Sequence, residues 1–264
     1  MGAYFGLHSF HSGLYRKNGS YVPGHHTYEL QLFKPFRRIF SKMSINFKKQ
    51  IKCPSCANLC EMTLWQSITV SDSQDLKDDL LKGKINIFRC ASCGATALVP
   101  VPLLYHDEEK HLMISFSPCE ESDKIRLFNQ VKETSRDSGE LAELSDYNLR
   151  FVCSYNEFLE KILISDSGLS DKTIEVLKLL VLMQESDKME NRVCIFGKKD
   201  GEQIEFMVQD KKEGQIYTSR VPMETYNTVA KSLKESGVKD RSFDWEIVDA
   251  EYAASLLHGR NNNL

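Results

Sequence analysis

The chain has 264 residues, of which 41% are hydrophobic and 27% charged, with a net charge of −3 at pH 7. That balance excludes wholesale disorder, and the length admits two ordinary domains or one large one. A pI near 6.2 argues against a protein built mainly to coat nucleic acid.

The charge is unevenly spread. Residues 1–52 hold nine basic residues against the single acid Glu29, which leaves 25 basic and 36 acidic residues for the rest of the chain. Residues 1–45 therefore read as a basic, flexible arm ahead of an acidic body. Within the arm, Asn18-Gly19 is a hairpin turn signal, and Tyr28 to Phe40 reads as a short strand or helix interrupted by Pro35. His8, His11, His25 and His26 also fall there, as solvated loop residues or as a second metal site. No apolar run approaches the roughly 20 residues of a membrane span, and MGAYFGLHSFHSG has neither the basic start nor the apolar run of a secretory signal. The expectation is a cytoplasmic protein without a membrane partner.

The pattern changes at Ile51, where IKC starts a short strand. Cys60 to Val70 alternates and is rich in Thr, Trp, Ile and Val, as a strand should be. Ser71 to Gly83 reads as a helix with a Ser or Asp cap, Leu76 and Leu80 turned inward, and Gly83 ending it. Ile85 to Cys90 is a strand, Ala95 to Leu103 is extended, and a polar turn leads into a strand from His111 to Phe116. Ser122 to Ser135 is an amphipathic helix with Ile125, Phe128 and Val131 along one face, and Thr134 to Asp146 is a polar linker.

Beyond it come a strand at Asn148 to Cys153, a helix at Asn156 to Ile164 and a capped helix at Lys172 to Gln184. Three strands follow, Arg192 to Phe196, Glu202 to Gln209 and Gln215 to Val221, joined by turns at Lys199-Asp200-Gly201 and Lys212-Glu213-Gly214. A helix at Met223 to Ser236, a strand at Phe243 to Val248 and a helix at Ala250 to Leu257 complete the reading. Trp65 and Trp245 read as core residues. The fold class is α+β: a zinc-ribbon domain over residues 46–136, then a small α+β domain over 137–264 that opens with the strand-helix-helix segment 148–185.

The strongest chemical signal is Cys53-Pro54-Ser55-Cys56 together with Cys90-Ala91-Ser92-Cys93-Gly94. Two intervening residues let a tight turn aim both thiolates at one ion, and two such turns complete a tetrahedral four-sulfur site for Zn2+. Pro54 stiffens the first turn, and Gly94 supplies the backbone freedom wanted after the last ligand. The gap between the pairs is the length of a strand, a helix and a second strand. Alternative readings are a redox Cys-x-x-Cys pair, which belongs on a strand-to-helix turn, and cysteines that merely fill a core. Cys60, Cys119, Cys153 and Cys194 read as bystanders, and the eight cysteines do not have the spread of a disulfide framework.

CPSC, TLWQSI, DLKDDLLKGKINIFRCASCG and VPLLYHDEEKHLMISFSP, followed by RFVCSYNEFLEKILISDSGLSDKTIEVLKLLVLMQ, resemble the CpXC domain family, a bacterial and archaeal domain named for paired Cys-Pro-x-Cys motifs. The likeness runs from about Lys49 to Glu185. It implies metal ligation by Cys53, Cys56, Cys90 and Cys93 and names no activity. The sequence departs from the family pattern at Ala91, where Pro often stands, and at Ala57, where Gly often follows the first pair.

These residues describe a non-enzymatic binding or regulatory protein with one structural zinc ion and an unidentified protein or small-molecule partner. A nucleic-acid-associated zinc-ribbon factor is the alternative, but residues 53–130 hold seven basic against eleven acidic residues, so nucleic acid could be met only through the arm. A metal-stabilised enzyme, of hydrolytic or another activity, is the third reading, with Tyr105-His106-Asp107 as its candidate residues.

Overall fold

The computed structural model of the chain describes residues 43–137, 144–184, 191–242 and 244–261. The basic arm up to residue 42, with its four histidines and its turn signal, lies outside them, as do residues 138–143 of the expected linker. The chain is mixed α+β and divides into two compact units. One holds the described residues up to Ser145 together with Val152–Tyr155; the other holds Asp146–Phe151 and Asn156–Leu264.

In the first unit, β1 (Ile45–Lys52) pairs antiparallel with β2 (Leu59–Thr69). Only the last three residues of β2, Ser67 to Thr69, go on to pair with β5 (Leu103–Asp107), in parallel, and β5 pairs antiparallel with β6 (Leu112–Phe116). From Asn46 to Lys52 of β1 and from Leu59 to Gln66 of β2, the pair continues beyond the part of β2 that meets β5, as a two-stranded hairpin. A parallel neighbour cannot be reached by a tight turn. The connection from β2 to β5 accordingly carries α1 (Gln74–Leu81) and a second hairpin, β3 (Ile87–Arg89) with β4 (Thr96–Leu98). Ser73 is the N-cap of α1, and Gly83 ends its C-terminal turn at φ 65°. Leu80 is buried as expected, but the second buried side chain of α1 is Lys77.

Three expectations are corrected in this unit. A full strand begins at Ile45, six residues before the expected start, and pairs along its whole length. The expected extended stretch Ala95 to Leu103 contains β4, and the start of the expected polar turn, Tyr105 to Asp107, instead belongs to the strand β5, all five of whose residues are buried. In α2 (Glu121–Asp137) the inward face is Leu127, Val131 and Ser135, an i, i+4, i+8 row, while Ile125 is 61% exposed.

The second unit takes β7 (Asn148–Val152) through Phe151 and continues into α3 (Tyr155–Asp166) and α4 (Asp171–Met183). β8 (Arg192–Asp200), β9 (Gln203–Asp210) and β10 (Ile216–Pro222) form an antiparallel sheet in the order β10-β9-β8. Its core packs Phe196, Phe206 and Val208 against Ile164, Ile174 and Leu177. α5 (Met223–Glu235) and α6 (Ala250–Asn261) supply Leu233 and Ala253 to a second cluster around Val176. Trp245 is buried, but its neighbourhood is not the expected strand: the chain there makes one isolated parallel bridge, Arg150 to Glu246. Among the described residues no helix is long and apolar enough to cross a membrane.

A connected set of buried charges also holds this unit. Arg150 grips Asp171 with two bonds, Nε to Oδ2 at 2.7 Å and Nη2 to Oδ1 at 3.0 Å, and reaches Glu246 with Nη1 at 3.0 Å. Lys172 meets Glu246 at 2.9 Å, Lys161 meets Glu175 at 3.0 Å, and Lys178 lies 3.0 Å from both Glu160 and Glu175. The charges balance, and remaining polar atoms are satisfied by backbone: Phe196 N donates to Glu160 Oε1, and Lys161 Nζ donates to Val248 O. Burial alone would push the Asp171 carboxyl up, but Arg150 and Lys161 beside it hold it well below the usual carboxylate range.

The sign of the pH dependence follows. A carboxyl depressed in the folded state stabilises it above its unfolded value of about 3.9 and loses that contribution as pH falls further. Urea unfolding followed through Trp245, in a Trp65→Phe background, should show this unit weakening below about pH 4. Asp171→Asn, which leaves Arg150 with Glu246 and Lys161 with Glu175 as their remaining carboxylates, should lower its stability at neutral pH by about 3 kcal/mol and flatten that acid limb.

Candidate metal centre

The two hairpins of the first unit end in turns of the same construction. At the first tip, Cys53 N donates to Asn58 O at 2.8 Å and Ala57 N donates to Cys53 O at 2.9 Å. At the second, Cys90 N donates to Ala95 O at 2.8 Å and Gly94 N donates to Cys90 O at 2.9 Å. Each turn therefore folds back over its own first cysteine. The residue four places on is left-handed in both, Ala57 at φ 61° and Gly94 at φ 71°. Glycine adopts this conformation without cost, whereas an alanine carries a Cβ against the following carbonyl.

The four sulfurs of Cys53, Cys56, Cys90 and Cys93 lie within 4.8 Å of one another. Cys53 Sγ is 3.6 Å from Cys93 Sγ, and Cys56 Sγ is 3.6 Å from Cys90 Sγ, so the close pairs run across the hairpins. Cys53 and Cys90 are buried; Cys56 and Cys93 are exposed. The backbone N–H of Cys93, with that of Ser92, donates to the Cys90 sulfur and lowers its thiol to about 6. The Asn58 N–H acts in the same direction on Cys56, but bonds with the Cys90 and Cys93 sulfurs outweigh it and raise that thiol to about 12. At Cys93 the Ala95 N–H lowers and the Cys90 sulfur raises, with a net rise. The cluster thus shares its protons unequally, because adjacent sulfurs cannot all ionise without a counter-charge.

Two side-chain links align the hairpins. Asn86, buried and left-handed at φ 56°, reaches back to β2: Trp65 N donates to its Oδ1 at 2.8 Å, and its Nδ2 donates to Trp65 O at 2.9 Å. The side chain occupies the place of a missing strand partner. Nearer the tips, Asn58 Nδ2 donates to Ser92 Oγ at 2.7 Å. Neither link was foreseen from the sequence. The clue was available at Asn86, since asparagine is depleted in strands and tolerates the left-handed region. Behind the sulfurs sits a small core of Cys53, Phe88 and Cys90, flanked by Ile51, Cys60 and Met62. Cys60, opposite Ile51 on the hairpin shaft, packs there and stands outside the cluster.

The other sequence candidates lie elsewhere. Tyr105, His106 and Asp107 are buried on β5. Tyr105 OH and Lys77 Nζ both donate to Asp107 Oδ2 at 3.0 Å. Alternation along the strand puts His106 on the opposite face from Tyr105 and Asp107, so the three do not converge. Burial lowers the His106 imidazole. Cys194 is buried and its thiol pushed up to about 12 by desolvation. Cys119 and Cys153, expected as bystanders, are joined in a disulfide.

Paired hairpins with four convergent cysteines on an α+β framework define a cysteine-cluster protein compatible with metal binding. Residues 51–178 match the family model described as CpXC protein, and the chain is a CpXC domain protein over that segment. The match takes in both cysteine turns and the disulfide and ends inside α4. No curated protein and no solved structure matches the chain.

Ala57→Gly should raise the thermal unfolding midpoint of the full chain, by an amount corresponding to about 1 kcal/mol, because it removes a left-handed alanine. Gly94→Ala should lower it by a similar amount through backbone alone, since no atom lies within 4 Å of the added Cβ. Circular dichroism melts of the pair give the two signs.

Proposed function

We propose that the chain is a zinc-binding, non-enzymatic binding or regulatory protein in which one structural Zn2+ joins the two hairpins. The observation that carries this is the approach of four sulfurs to within 4.8 Å on two turns of identical bonding. Four soft thiolates supplied by paired Cys-x-x-Cys turns suit zinc, and a closed four-thiolate shell leaves no open position for a catalytic water. The chain's own residues fit such an ion: turn amides donate to the Cys56, Cys90 and Cys93 sulfurs, and Cys53 and Cys90 are fixed from behind by Phe88. The ion would supply the cross-link that so small a core lacks. A nucleic-acid role has one observation in its favour, the exposed Lys48, Lys49 and Lys52 on the outer strand of the hairpin. Lys48 is however paired with Glu61 at 3.1 Å. A salt-dependent shift of labelled single- or double-stranded nucleic acid would favour that role.

Elemental analysis of purified protein should find one zinc per chain. Replacing Cys53, Cys56, Cys90 or Cys93 with Ser should lose the ion, since three thiolates cannot close the tetrahedron. Cys60→Ser, Cys119→Ser, Cys153→Ser and Cys194→Ser should retain it. Zinc kept after Cys90→Ser but lost after Cys60→Ser would reassign the fourth ligand. A metal-free protein with reversible oxidation of Cys53 to Cys56 would move the site to redox chemistry. Chelation should also leave the Trp245-reported unfolding transition in place, because the second unit holds its own apolar core and buried ion pairs.

A further inference from the structure

Most cysteines of this chain are committed by their surroundings. Four form the cluster, Cys194 is buried and Cys60 packs against the small core behind it. Cys119 and Cys153 differ. They are bonded to one another, their Cα atoms stand 5.1 Å apart, and both are half-buried rather than sealed. That spacing is normal for a disulfide.

The chain segments they join are also held together without the bond. Ser117 N donates to Val152 O at 3.0 Å. Phe116 meets Tyr155 edge-on, ring centroids 5.7 Å apart, and the buried Tyr155 donates its hydroxyl to Ile85 O at 3.3 Å. Reduction therefore leaves two thiols side by side in a framework that persists, with partial exposure to small solutes. The segment concerned, Val152–Tyr155, belongs to the first unit although the residues on both sides of it in sequence belong to the second. A covalent bond at Cys153 fixes this segment where non-covalent contacts alone would otherwise keep it.

We propose that Cys119 and Cys153 are a reversible thiol–disulfide couple, opened and closed by exchange with low-molecular-weight thiols and disulfides, that locks Val152–Tyr155 to the start of α2. In closing, one cysteine thiolate attacks a sulfur of a small disulfide; that S–S bond breaks, one small thiolate leaves and a mixed disulfide forms. The second cysteine thiolate attacks the protein sulfur of the mixed disulfide and expels the second small thiolate. The two protons given up by the cysteines end on the two departing thiolates. Two protein thiols are oxidised and one small disulfide is reduced; opening is the reverse. The closed form spans a sequence separation of 34 residues, so it also restricts the unfolded chain.

The test uses the full chain equilibrated in graded ratios of reduced to oxidised glutathione, with and without added zinc, then acid-quenched, alkylated and mapped by peptide mass spectrometry. The Cys119–Cys153 disulfide should pass reversibly from nearly absent to nearly complete across the series, while Cys194 stays a thiol. The melting temperature should rise with the closed fraction. Cys119→Ser should melt with the reduced wild-type protein at every ratio. A bond that never forms, or that survives the most reducing buffer, overturns the proposal. So does a melting temperature that ignores the closed fraction, or a Cys119→Ser variant whose melting still follows the ratio. Zinc content of the same samples reports separately on the four-cysteine cluster, because the peptides identify which sulfurs have reacted.

Discussion

The paired hairpins of the first unit are governed by the mutual approach of four sulfurs. Two pairs stand 3.6 Å apart across the hairpins, and full ionisation of such a cluster is opposed by like charge at every contact. The structure around it works toward keeping the sulfurs together all the same. Turn amides aim at sulfur, a left-handed residue lets each turn close, and Asn86 and Asn58 bind one hairpin to the other. Hydrophobic burial adds little at this end, since the core behind the sulfurs contains three buried residues, two of them the cysteines themselves. An arrangement so dependent on its sulfur cluster is the one a divalent soft cation stabilises most, because the cation turns the dominant repulsion into the dominant attraction.

The second unit solves its packing problem without such a cluster. It encloses a larger apolar core and places its charges in opposite-sign contact inside the fold. Burying a paired charge is at best near neutral in stability, whereas removing one partner is costly. The network therefore fixes which helix faces which strand. Glu160 shows how: its carboxylate binds Lys178 on α4 and the Phe196 amide of β8, joining three elements through one side chain.

What the sequence made legible was local. The Cys-x-x-Cys spacing, the helical periods of α4 and α5, and the two glycine turns of the last sheet each depend on residues a few places apart. The misreadings all involve partners distant in sequence. β1 carries three consecutive exposed polar residues, Lys48 to Gln50, and becomes a strand only because β2 pairs with it. β5 shows no alternation because both its faces are covered, so Tyr105, His106 and Asp107 looked like a polar turn. In α2 two overlapping helical rows were available, and tertiary packing selected Leu127 and Val131 over Ile125. Phe243 to Val248 has strand-like composition, but its described residues, 244–248, show one isolated bridge, at Glu246. At the candidate site the ligand set was legible in full, while the asparagines that align the two hairpins were not.

Cys60 shows why spacing, rather than proximity in sequence, decides a cysteine's chemistry. It stands four residues beyond Cys56, closer than Cys90 or Cys93 by far. Yet its register opposite Ile51 places it on the paired shaft of the hairpin, past the turn whose amides serve sulfur. Two intervening residues keep both thiols of a pair on the curled tip; three carry the next one into the ladder, where its side chain packs with Phe88 and Met62. The same logic separates Cys119 and Cys153 from the rest. They are far apart in sequence, but the bond from Ser117 to Val152 sets them opposite one another, and two sulfurs facing across adjacent strand ends have a disulfide as their natural chemistry. Backbone pairing has thus divided one residue type into a cluster, a covalent link and inert core side chains.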